Sequence, residues 1–114
     1  MTAGTASRGK GTEMGNWDSI QHAVVDQFTL GTGISCAHLN TGGGCTAIHI
    51  PIEGKGYLLV TDGQAEIPLP DEFETIAVTD YNSSDIAWDT QYFDNYTDAI
   101  NYCRYMYDLF TGRI

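Results

Sequence analysis

The sequence predicts a single α+β domain: a mostly antiparallel sheet of four to five strands, with an N-terminal and a C-terminal helix packed on one face. Three observations predict it. Apolar residues recur at helical spacing near both ends of the chain. Short alternating runs bounded by glycine, asparagine and proline fill the middle. At 114 residues the chain is the size of one domain and can bury a core without disulfides.

Residues 1–15, MTAGTASRGKGTEMG, hold no hydrophobic period and are expected to form a flexible tail, which leaves 16–114 as the domain. Asn16 then offers an N-cap. Trp17, Ile20, Val24 and Phe28 follow at steps of three and four before Gly31, so a helix is expected over 17–30. Runs 34–39 and 45–52 flank the loop Asn40-Thr41-Gly42-Gly43-Gly44, whose glycines accept positive φ. Setting Leu39 opposite Cys45 puts Cys36 opposite Ile48 and Ile34 opposite Ile50, which gathers the apolar residues on one face and sends His49 and Ser35 to the other.

A second turn over 53–56 returns the chain as a third strand over 57–62. Pro68 and Pro70 keep 64–72 from being a central strand, so a loop is expected there, or a short edge piece at 65–67. Runs 75–81 and 86–93 form a further hairpin around Asn82-Ser83-Ser84-Asp85. Asn95 with Asp98 makes a capping box for a last helix over 96–110, stopped near Gly112.

The formal charge is −10, and it becomes −11 once residues 1–13 (Arg8, Lys10, Glu13) are set aside. Such a body is repelled by nucleic acid phosphates and by anionic membranes, so neither is expected as a direct partner. No apolar run approaches spanning length, and no apolar signal region opens the chain. Cys36, Cys45 and Cys103 are odd in number and form no C-x-x-C pair, which points to reduced thiols in apolar settings and to a cytoplasmic protein.

The motifs of chemistry are missing. NTGGGC lacks the Lys-Ser/Thr of a phosphate loop and leads into a strand. The run from Asp80 to Asp85 places oxygen ligands like a calcium loop, but Asp85 stands where glycine belongs and Gln91 where the closing glutamate belongs. His22, His38 and His49 share no metal-ligand spacing. The sequence therefore predicts no cofactor, no metal and no enzyme; a small hydrolase stands third among the function classes.

Two surfaces carry the expected function. Between Gly56 and Cys103 lie ten carboxylates and no Lys or Arg. Asp80, Asp85, Asp89, Asp94 and Asp98 recur every four or five residues, either as a solvated surface or as one that imitates phosphates and steers onto a basic partner. In the last helix Tyr96, Ala99, Ile100, Cys103, Tyr107 and Phe110 make the core stripe. Tyr102, Tyr105 and Leu109 line the other side as a binding patch.

The order GGGCTAI, then YLLVTDG, then an acidic segment, then DNYTDAINYC resembles small accessory proteins from bacteriophages of actinobacteria. The resemblance implies a phage-encoded, non-enzymatic protein acting on a host or virion protein, in the host cytoplasm or in the virion. The expected function is thus a small acidic protein that binds another protein, as an inhibitor or nucleic-acid mimic. The alternative is a structural component of a larger particle held by its tail, with homo-oligomers as one form of assembly.

Overall fold

The computed structural model describes residues 11–112, with side chains from Ser19 onward. Helix α1 (Gly11–Thr32) leads into five strands, β1 (Ala37–Gly42), β2 (Cys45–Ile52), β3 (Gly56–Thr61), β4 (Ile76–Asn82) and β5 (Ala87–Phe93), and helix α2 (Tyr96–Thr111) closes the chain. The strands form one antiparallel sheet in sequence order, β1 to β5, so every neighbour is a hairpin partner. The predicted α+β class is the observed one.

Helix α1 corrects two expectations. It begins at Gly11, so residues 11–15 belong to a helix and not to a tail, and the expectation for residues 1–10 lies outside the described residues. It also runs through Gly31. A Cβ at Gly31 would stand 2.7 Å from Ile100 Cγ2, so this glycine lets α2 approach closely and does not stop the helix. The stop is Gly33, at φ 75°, whose N–H donates to the Thr29 carbonyl at 2.9 Å.

The first hairpin is displaced by two residues from the expected register. His38 pairs with Ile48, Leu39 with Ala47 and Gly42 with Cys45, leaving Gly43 and Gly44 as the turn. Three consecutive glycines with positive φ permit the tighter turn. A shift of two preserves parity, so Ile48 and Ile50 still face the core and His49 still faces away. Ile34 and Cys36 precede the strand, where the Cys36 N–H donates to Thr29 Oγ1 at 3.1 Å.

Both helices cover one face. Val24, Val25 and Phe28 from α1 and Ala99, Ile100 and Cys103 from α2 pack in one cluster with Ile48, Ile50, Leu58, Val60, Ile76 and Val78. Burial pushes the Cys103 thiol well up, which keeps it protonated. The connection from β3 to β4 closes one end of this layer: Ile67 and Leu69 are fully buried, and the Tyr96 hydroxyl donates to the Pro68 carbonyl at 2.6 Å. At the terminus of α2, Asn95 Oδ1 accepts from the Asp98 N–H at 2.8 Å, and Gly112 at φ 77° ends the helix as predicted.

Candidate functional site

The expected site residues fall in several places. Asp80 and Asp89 are direct cross-strand partners on the helix-covered side, at its margin. Burial first, and then the neighbouring Asp89, hold the Asp80 carboxyl above the ordinary carboxylate range. Asp85 sits in the 82–85 turn at φ 63°, and its Oδ1 accepts from the Tyr57 hydroxyl at 2.8 Å. Asp94 and Asp98 flank Asn95, whose Nδ2 donates to both, at 3.2 and 3.0 Å. The five carboxylates thus fall in three local settings: a cross-strand pair, a turn and a helix cap.

The tyrosine patch of α2 is also divided. Tyr102 is half-buried, its ring centroid 5.2 Å from that of Phe93 on β5, and burial raises its hydroxyl pKa, with Asp89 and Asp80 adding to the effect. It packs on the sheet because the stripe under α2 is wide enough to take residues on both sides of Cys103. Tyr105 and Leu109 remain exposed, at 50% and 45%.

What the strands bring together is the face that no helix covers. Alternation places three rows of direct partners across it. One row is Pro51, Tyr57, Tyr81 and Ala87; the next is Ala37, His49, Leu59, Thr79 and Thr90. The third holds Leu39 beside Ala47, and Thr61, Ala77 and Tyr92. A β-bulge between β4 and β5 sets Ala87 and Trp88 together opposite Tyr81, and Trp88 shares the parity of Thr90, whose hydroxyl meets that of Thr79 at 3.0 Å. None of these positions is Asp, Glu, Lys or Arg. His49, the one titratable imidazole among them, is held below its ordinary pKa by burial, which favours its neutral form.

The rings are ordered. Tyr57 and Tyr81 stack at 5.0 Å with planes 9° apart, and His49 lies 4.8 Å from Tyr57. Asp85 fixes the Tyr57 hydroxyl, and burial with that hydrogen bond pushes its pKa up to about 12. Tyr57 and Tyr81 wall a recess of about 390 Å³ that also includes Leu39, Ala47, Leu59, Thr61 and Thr79. On the margin beyond, Trp88 and Tyr92 stand 77% and 69% exposed.

The sequence carried one signal for this face: alternate positions in strands two to five that hold no charge within an otherwise acidic chain. It was eclipsed by the carboxylates, which occupy turns, ends and the opposite parity.

Elsewhere one polar cluster joins three elements. His38 Nε2 lies 2.7 Å from Gln21 Oε1, Gln21 Nε2 donates to Thr46 Oγ1, and the Ile67 N–H donates to the same oxygen, which ties α1, β2 and the 62–75 connection together. Among the described residues no group of three or more His, Cys, Asp or Glu is placed to hold a metal ion, and no helix is long and apolar enough to cross a membrane. Comparison with protein-family models, with curated proteins and with solved structures gave no match.

Proposed function

We propose that this chain is a small acidic, non-enzymatic protein that binds another protein, and that it does so through the open face of its sheet. The observation that carries this reading is the absence of charge from every outward strand position of a chain whose net charge is −10. A solvated sheet face ordinarily alternates to polar and charged residues. This one holds leucine, alanine, threonine and an ordered set of rings, the composition of the centre of an interface. Carboxylates at its border, Asp85 among them, add long-range steering toward a basic partner and keep phosphate backbones away. The resemblance to phage accessory proteins makes a host or virion protein the class of partner.

Capture from an actinobacterial lysate with the full chain tests this reading, using Trp88→Ala and Tyr105→Ala variants beside the unaltered protein. A protein held by the unaltered chain and by Tyr105→Ala, but lost from Trp88→Ala, is the expected result. Capture that ignores Trp88 and fails with Tyr105→Ala would move the binding site to helix α2.

A further inference from the structure

The recess in the open face has fixed walls. Tyr57 is held twice, by its stack on Tyr81 and by the hydrogen bond from its hydroxyl to Asp85. Thr79 is held by its hydroxyl contact with Thr90 at 3.0 Å. Beyond the far end of β3, Ala65 lines the rim at φ 62°, a left-handed conformation uncommon for a residue with a Cβ. Its carbonyl accepts from the Thr46 N–H at 3.2 Å, which pins the β3–β4 connection beside β2. The lining includes Ala47, fully buried although no helix covers this side of the sheet. A hollow preformed in this way loses little freedom when it is filled.

Its chemistry narrows the occupant. A volume of about 390 Å³ lies at the small end of ligand cavities, with room for one ring system and not for a chain of them. No lining residue is Asp, Glu, Lys, Arg or His, so an entering charge loses water and meets no counter-charge. An anion is further opposed by the net charge of −10. The Tyr57 and Tyr81 rings, 9° from parallel, offer a stack that another flat ring extends. Two lining hydroxyls are engaged by Asp85 and Thr90. Thr41, Thr61 and Tyr81 bring three more, able to accept from an indole N–H or a phenol O–H. From this lining we infer that the recess is the anchor site for one uncharged aromatic ring with a hydrogen-bond donor, presented by the protein partner as a Trp or Tyr side chain. This role rests on reading the open face as a protein-binding surface, and it names the group that enters it.

Amide NMR spectra of the full chain, titrated with N-acetyl-tryptophanamide, test the inference, with the tyrosine, leucine, arginine and glutamate analogues beside it. The tryptophan and tyrosine analogues are expected to shift Ala47, Leu59 and Thr61 saturably, binding roughly fivefold or more tighter than the leucine analogue. Tyr81→Ala is expected to weaken the tryptophan analogue by roughly the same factor, whereas Tyr81→Phe, which keeps the ring, stays within about twofold. Should Tyr81→Ala fail to fold, the series on the unaltered chain decides alone. In the lysate capture, excess N-acetyl-tryptophanamide is expected to release the bound protein. The ring site is overturned by no saturable shift at these residues, by equal binding of the leucine analogue, or by tighter binding of the arginine analogue. Trp88-dependent capture with no analogue bound removes the anchor and leaves the open face as a binding surface. An analogue that fills the recess without disturbing capture makes it a small-molecule site and overturns the partner's side chain as occupant.

Discussion

On one side of the sheet Ile48, Ile50, Leu58, Val60, Ile76 and Val78 meet Phe28, Ile100 and Cys103, and are buried by them. On the other side the positions between them hold Leu39, Leu59, Tyr57, Tyr81, Thr61, Thr79 and Thr90, and no helix covers them. Both faces are apolar, but they differ in what they contribute. The covered face supplies the burial that stabilises the fold. The open face gives up part of that burial and keeps its rings at the surface. The two carboxylates among the sheet's paired positions, Asp80 and Asp89, lie on the covered side, at the cost of setting like charges opposite each other. Charge is therefore excluded from the open face specifically, not from the sheet in general.

Substitutions on the two sides should separate these roles. The largest effect is expected at Phe28, fully buried in the covered layer and edge-on to Tyr96 at 5.9 Å. Phe28→Ala should cost about 3–5 kcal/mol of stability in a denaturant titration. A loss under about 1 kcal/mol would mean that α1 is not part of the core.

Next is Tyr96→Phe, which deletes the hydroxyl bonded to the Pro68 carbonyl and leaves that oxygen buried; about 1–3 kcal/mol is expected. The same hydroxyl has a pH signature. Burial first, and then Asp71, push the Tyr96 pKa from 10.0 to about 12. The folded chain holds this proton more tightly than the unfolded one, so stability should fall as pH rises from the ordinary tyrosine value through the raised one. Thermal melts of Tyr96→Phe across that window should show a shallower decline, with Tyr57 supplying part of what remains.

Asp80→Asn should work in the opposite direction. Its raised carboxyl pKa means that stability falls as pH rises from the ordinary carboxylate value through Asp80's own. Removing the charge should stabilise the protein at neutral pH by about 0.2–1 kcal/mol. The gain should fade as pH drops below the ordinary carboxylate range. Destabilisation at neutral pH would contradict the like-charge account.

The smallest effect on folding is expected at Trp88. Trp88→Ala should change stability by no more than about 0.5 kcal/mol, because the ring is largely exposed. A loss comparable to that at Phe28 would erase the contrast between the faces.

Much of the fold is legible where local chemistry is unambiguous. Asn95, Asp98 and Gly112 mark both ends of α2, and Asn82 marks its turn by accepting from the Ser84 and Ile86 N–H groups. The misreadings have physical causes. Gly42, Gly43 and Gly44 all accept positive φ, so turn length and register were underdetermined. Gly31 carries the composition of a helix stop, but it serves a contact with Ile100, far along the chain. The open face was the least legible part. Parity tells which strand residues travel together, but not which set the helices will cover, and Leu39 or Tyr81 reads equally well as core.

Strand order has a consequence for how the protein is made. In a meander each strand pairs with the one synthesised just before it, so the sheet can form by short-range steps with little loop-closure cost. The covering layer cannot. Ala99, Ile100 and Cys103 lie on the last element, and Gly31 must wait for Ile100 to arrive from the far end of the chain. A nascent chain that has emitted α1 and the sheet but not α2 thus leaves part of the inner face uncovered beside the open one, and its exposure to aggregation and to chaperones is set by the time taken to translate and dock a single C-terminal helix.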